Sequence, residues 1–251
     1  MGLVSGSGYF LIALGPAVTI FASAIAPKPF LILAVIASAL VWLLSLIAAS
    51  IVWRAFLPGA DWVFLPMVVT TVALQEVVRV LFWRYYLKLE KSLNVLATKM
   101  RKPHLNYVDR LEIALASGVG HGAAHAVFFG WSVLILASGP ATYYTDTCKQ
   151  MPYFLVTALN TLAFFLILTF LMVITFNAYT KDEHSQQLFV PVMHFLAALA
   201  SLVNLLPNGC IVGVPLVFLC AAVTMGYCGK IVWDSVGSSS LDPGDLQRRQ
   251  L

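Results

Sequence analysis

The chain has 251 residues, of which 60% are apolar and only 10% charged, and its mean hydropathy is +0.88. Water-soluble domains are about 45–50% apolar and about 25% charged, so the composition excludes an ordinary soluble globule. Fifteen Lys+Arg against eleven Asp+Glu leave a net charge of only +4 with no separate basic domain to carry it, which argues against a nucleic-acid binder.

Seven apolar runs follow one another, at about 3–26, 30–53, 62–87, 113–137, 154–177, 189–206 and 211–233. Each approaches or exceeds the ~20 residues a helix needs to cross a ~30 Å hydrocarbon layer, the sixth only just. The short alternating segments of a membrane barrel are absent. The expected fold is therefore all-α: a polytopic membrane protein with a seven-transmembrane-helix bundle over 1–233 and a polar tail over 234–251. Pro27-Lys28-Pro29 between the first two runs and Pro207-Asn208-Gly209-Cys210 between the last two are so short that they force antiparallel hairpins.

Positive charge orients the bundle. One side holds Arg54 and Lys149; the other holds Lys28, Arg84, Lys88, Lys91, Lys99, Arg101, Lys102, Arg110, Lys181, Lys230, Arg248 and Arg249, with Arg79 inside a span. Cytosolic loops carry the excess of Lys and Arg, which puts the N-terminus on the lumenal or extracellular side and the C-terminus in the cytosol. The basic stretch from Arg84 to Arg110 could touch anionic lipid headgroups, although orientation alone explains it equally well.

The third run carries Gln75, Glu76 and Arg79 near its middle. Charges at that depth cost ~2.5–3.5 kcal/mol each and usually face protein or water. Three residues apart, Glu76 and Arg79 share a helix face and can pair. The reading is a self-neutralising pair that anchors neighbouring helices; a proton relay or a catalytic carboxylate is the rival use. At the entrance to the fourth run, Asp109 and Glu112 have capping-box spacing, with Asp109 expected as the cap.

The fourth run is the most informative. Gly118, Gly122, Ala126 and Gly130 recur every four residues. At about 100° per residue each step advances by about 40°, so they form a drifting stripe of small side chains on one face. Such stripes let another helix backbone approach closely. His121 and His125 lie beside it, and His194 is a third intramembrane histidine in the sixth run. Buried, all three need hydrogen-bond partners. A metal site is not expected, because His-Gly-Ala-Ala-His lacks the glutamate of H-E-x-x-H and no further ligand stands nearby in sequence. Cys148 and Cys210 both fall in loops on the N-terminal side, where the redox environment permits either a disulfide or two free thiols. Cys220 and Cys228 read as packing residues of the seventh run.

Taken in order, these features resemble the anterior-pharynx-defective subunit family of gamma-secretase. The likeness rests on Leu14-Gly15-Pro16-Ala17 in the first run, on Trp42-Leu43-Leu44-Ser45-Leu46 through Ala49-Ser50-Ile51-Val52-Trp53 in the second, and on Leu74-Gln75-Glu76-Val77-Val78-Arg79 in the third. It continues with Ser117-Gly118 and Gly122 in the fourth and Val223-Thr224-Met225-Gly226 in the seventh. The resemblance implies a non-catalytic subunit without a cofactor, in a hetero-oligomer with presenilin, nicastrin and the presenilin enhancer. It also implies a home in the endoplasmic reticulum, Golgi and other endomembranes or the plasma membrane, and a part in cleaving single-pass proteins such as Notch-type substrates. The family's fourth-span glycine repeat maps onto Gly118, Gly122 and Ala126, the last being a departure that keeps a small side chain. His194 matches the family's sixth-span histidine, whereas Leu168 stands where a fifth-span histidine is expected. The stripe is expected to form a groove for the helices of neighbouring subunits.

Two other classes share the topology. A glutamate–histidine intramembrane protease would use Glu76 to activate water with His121, His125 or His194 assisting, but Gln75 replaces the first of the paired glutamates. A seven-span receptor would carry Asp-Arg-Tyr where this chain has Trp83-Arg84-Tyr85, and Asn-Pro-x-x-Tyr in a seventh span that lacks it. No span contains an aspartate, so the chain is not itself an intramembrane aspartyl protease.

Overall fold

A computed structural model of the chain describes residues 3–56, 64–101, 103–139 and 143–240. Among these residues, seven helices are long and apolar enough to cross a membrane. We number them α1 (Leu3–Ile20, continued by a π turn Phe21–Ile25), α2 (Pro29–Phe56), α3 (Phe64–Lys99), α4 (Tyr107–His125), α5 (Tyr153–Thr180), α6 (His184–Leu202, ending in a 3₁₀ turn Val203–Leu205) and α7 (Cys210–Ser240). Beyond α4 the chain passes through a π turn Ala126–Trp131, one α turn Ser132–Leu134 and a 3₁₀ turn Ile135–Ser138. Among the described residues there is no strand, only an isolated bridge between Thr145 and Cys148.

The bundle is built around α5. Ala163, Phe165, Ile167, Leu168, Leu171, Met172 and Ile174 are all essentially inaccessible, and a helix that is apolar all round belongs in the interior. Helices α1, α4, α6 and α7 surround it; α2 packs on the outer side of α4, and α3 closes the ring between α2 and α6. Large apolar side chains on the outward faces, such as Leu33, Leu40, Leu44 and Ile47 of α2, remain exposed, as expected where the surrounding medium is itself apolar.

Three boundaries differ from the sequence reading. The hydropathy of the third run drops after Leu87, yet α3 runs three turns further, to Lys99. Residues 88–99 contain neither Pro nor Gly and are mostly good helix formers. Their inward Glu90 pairs with Arg110 at 2.7 Å, and the helix stops only where Arg101 adopts a left-handed φ of 53°. What changes at Leu87 is polarity, not conformation. The expected start of the third run at Trp62 lies outside the described residues, as does Lys102.

The start of α4 is the second difference. Asn106, not Asp109, is the cap: Asp109 N donates to Asn106 Oδ1 at 2.8 Å, while Asn106 N donates to Asp109 Oδ2 at 3.0 Å. This is a full capping box, shifted three residues upstream, with Asp109 in the third helical position. Glu112 is thereby released from capping and instead pairs with Lys28 of the α1–α2 turn at 2.5 Å. Third, α7 continues to Ser240, so the first part of the expected polar tail is helical; residues 241–251 lie outside the described residues.

At the opposite end, two turns are tied together. Cys148 and Cys210 form a disulfide with a Cα–Cα distance of 5.9 Å, joining the α4–α5 loop to the α6–α7 turn. Beside it, Asn208 N donates to Thr147 O at 2.7 Å and Gln150 Nε2 donates to Asn208 Oδ1 at 2.8 Å. Asn208 has φ 58°, a conformation that asparagine tolerates better than most residues.

Candidate functional site

The small-residue stripe of α4 lies against α5 of the same chain. A Cβ on Gly118 would overlap the carbonyl of Thr169, and one on Gly122 would come within 2.7 Å of Phe165 O and 2.8 Å of Thr169 Oγ1. One on Gly130 would sit 2.7 Å from Thr161 Cγ2. Thr161, Phe165 and Thr169 are themselves four apart, so two matched stripes run antiparallel, and Thr169 Oγ1 donates across the seam to Gly118 O at 3.3 Å. Ala126 is wholly buried. The π turn that begins there advances less per residue than an α-helix and so returns Gly130 to the same face from which the regular drift would carry it. The expected groove for a neighbouring subunit is thus filled from within: at Gly118 and Gly122 the backbone of α5 already occupies the space a partner helix would need.

The opposite side of α4 is equally tight. A Cβ on Gly120 would overlap Val35 O of α2 and lie 3.0 Å from Ser38 Cβ. Helix α4 is therefore clamped between α2 and α5, with a glycine at each close approach. The sequence reading did not single out Gly120 or Ser38. Ser38 is one of three serines in the long apolar run of α2, with Ser45 and Ser50, and nothing in the sequence alone marks it as the one at the contact.

His121 completes that contact. Its Nδ1 hydrogen-bonds Ser38 Oγ, and Ser38 Oγ donates to Ser117 O at 2.5 Å. With the single hydroxyl proton committed to the carbonyl, Nδ1–H is the donor to Ser38, which fixes the ring's tautomer. His125, one turn on, does not converge with His121. Its ring stacks on Phe164 at 5.0 Å and meets the rings of Phe129 at 4.8 Å and Trp42 at 5.7 Å.

The third histidine belongs to a charged cluster. Glu76 Oε1 accepts from Arg79 Nη1, three residues further along α3, and from His194 Nδ1 of α6, the latter at 2.6 Å. Arg79 is 1% exposed, His194 3% and Gln75 6%, so the carboxylate is held in the interior by a guanidinium on its own helix and an imidazole on another. The sequence reading paired Glu76 with Arg79; the structure adds His194 and makes the pair an α3–α6 bridge. Leu168 is fully buried in the apolar core of α5.

Cavities flank this cluster on two sides. One, of about 600 Å³, is lined by Gln75, His125, Asn160, His194 and Ser201 among others. The second, of about 330 Å³, is lined by Glu76, Arg79, Arg84, Tyr179 and Gln187. Among the described residues no group of three or more His, Cys, Asp or Glu side chains could hold a metal ion. The chemistry on display is that of helix locking: small residues at close approaches, and cross-helix hydrogen bonds from His121 and His194, whereas His125 Nδ1, expected to need a partner, is buried without one.

Seven apolar helices locked by such buried contacts define a multi-pass, all-helical membrane protein. A match to the Aph-1 protein family covers residues 4–235, and the chain belongs to that family. It is 48% identical over 236 residues to the gamma-secretase subunit APH1-like of Arabidopsis thaliana, covering 93% of this chain and 94% of that protein. It is also 31% identical over 137 residues to the gamma-secretase subunit Aph-1 of Drosophila melanogaster, covering 55% of this chain and 56% of that protein.

Proposed function

We propose that this protein is the non-catalytic stabilising subunit of a gamma-secretase-type intramembrane aspartyl protease, assembling with presenilin, nicastrin and the presenilin enhancer. The observation that carries this reading is near-full-length identity of 48% to a protein named as a gamma-secretase subunit. The physical arrangement supports it. The seven apolar runs of the sequence hold no aspartate, Asp109 and Asp234 standing near the ends of α4 and α7; the chain's most prominent carboxylate is engaged by Arg79 and His194, and α4 is locked on both sides. A rigid bundle of this kind supplies fixed outward faces on which less stable subunits can pack. The long apolar face of α2, with Leu33, Leu40, Leu44 and Ile47 exposed, is one such face.

In this reading the N-terminus is lumenal or extracellular, the Cys148–Cys210 loops face the oxidising side, and the C-terminus is cytosolic, following the excess of positive charge around α3, α4 and α7. The protein resides in endomembranes, and through the complex it supports cleavage of single-pass membrane proteins. The test is affinity purification of the tagged full chain in a mild detergent, followed by identification of what co-purifies. Presenilin and nicastrin in near-equal amounts are expected. Recovery of the chain alone, or cleavage of a membrane-span peptide by the chain without presenilin, overturns the proposal.

A further inference from the structure

At the basic end of the bundle, where α4 begins and α5 ends, a cavity of about 170 Å³ opens between α3, α4, α5 and α7. Its polar rim carries Tyr86, Tyr107, Arg110 and Lys181, and its floor is apolar, with Val173, Phe176 and Ile231. The cations on the rim keep unused hydrogen-bond donors. Arg110 Nη2 reaches Glu90 Oε1 at 2.7 Å, but its Nε is buried without a hydrogen-bond partner. Lys181 Nζ donates to the Ser235 hydroxyl at 2.7 Å and takes part in none of the ion pairs among the described residues. The guanidinium thus retains an unused donor, and the ammonium, which carries three, has one on a hydroxyl.

The position of the cavity narrows the ligand. Trp83 and Tyr179 pack together at this end with ring centroids 5.0 Å apart, and Tyr86 and Tyr107 line the cavity itself; tryptophan and tyrosine are enriched where transmembrane helices meet the membrane–water boundary. Basic pockets between transmembrane helices at that level are suited to phospholipid headgroups. Arginine and lysine together complement a phosphate, the first as a planar fork and the second as a point charge. The apolar floor suits the glycerol and the first methylenes; the chains must leave so small a cavity for the bilayer.

We propose that this cavity is a binding site for the phosphate of an anionic glycerophospholipid, seated between Arg110 and Lys181. Free phosphate shares the headgroup chemistry but has no use for the apolar floor.

The test uses the full chain, purified with whatever subunits accompany it and placed in nanodiscs containing a trace of photo-crosslinkable phosphatidylinositol. Labelling is expected in the segments around Leu111, Val173 and Ile231, competed by excess phosphatidylinositol but not by phosphatidylcholine or inorganic phosphate. Lys181→Gln should reduce it about fivefold, the effect of one interfacial cation. Arg110→Gln alone would strand Glu90, so it is made together with Glu90→Gln, a pair that removes the fork without leaving a bare carboxylate. Labelling that phosphatidylcholine competes equally well, that inorganic phosphate abolishes, or that neither variant changes overturns the proposal.

Discussion

His194 Nδ1 lies 2.6 Å from Glu76 Oε1, so a histidine of α6 and a glutamate of α3, 118 residues apart, share one proton position in the bundle interior. The same oxygen accepts from Arg79. A buried charge that loses its partner costs far more than the pair contributes, about 3–5 kcal/mol when one member is removed. Glu76→Gln should therefore lower the thermal stability of the detergent-purified protein strongly, whereas Glu76→Gln combined with Arg79→Met should recover much of the loss. Additive losses in the double variant would show that the two side chains are not coupled.

The glycine seam makes a sharper prediction. Gly118→Leu and Gly122→Leu force a side chain into the backbone of α5, which cannot move aside as a flexible side chain could. The cost should exceed the about 1–3 kcal/mol typical of core overpacking, and it should appear in the isolated chain, before any partner is added. Gly229→Leu, where an added Cβ meets nothing within 4 Å, is the control. Measured by heating in detergent, the first two should aggregate at markedly lower temperature and the control near the parent value. Normal melting of both seam variants, with a defect only in partner binding, would restore the stripe to an intersubunit role.

The Cys148–Cys210 bond closes a loop of 62 residues, and loss of a native disulfide typically costs about 2–5 kcal/mol. Maleimide labelling of the unreduced, denatured protein should modify Cys220 and Cys228 only, with Cys148 and Cys210 joining after reductant. Cys148→Ser should lower stability and leave Cys210 free to label. Four reactive thiols without reductant would remove the bond.

At the start of α4, Asn106→Ala should destabilise by about 1 kcal/mol, the usual value of a lost cap. Glu112→Ala breaks only the partly exposed pair with Lys28, and such pairs contribute about 0–1 kcal/mol. The relative order of the two variants in a thermal scan distinguishes the observed cap from one placed at Asp109.

Much of this was legible in the sequence for a simple reason. Apolar runs of about twenty residues admit one conformation in a membrane, so seven spans and their hairpins follow from composition. Gly118, Gly122, Ala126 and Gly130 advertised a close approach by spacing alone. The spacing could not say whose backbone comes close: the answer lay in Thr161, Phe165 and Thr169, whose own four-residue repeat is hidden in an apolar run. Glu76 and Arg79 were visible as neighbours on one turn, but His194 entered the cluster only through tertiary packing. The end of α3 was misplaced because hydropathy tracks the solvent, whereas helix formation tracks backbone propensity. The cap was misplaced because two acidic residues three apart mimic the motif that Asn106 and Asp109 complete.

Helix α3 has 36 residues with no glycine and with its one proline, Pro66, in the first turn, about 54 Å of continuous helix, and Glu76 sits on the same rod as Lys99. Its far end projects well beyond what a hydrocarbon layer requires. A ligand that gripped the projecting segment would have a lever arm on the mid-membrane bridge to His194: a small tilt applied outside would be felt at the carboxylate without any change in the turns between. Communication across the bilayer would then need no moving loop, only a stiff shaft with a hinge pin near its centre.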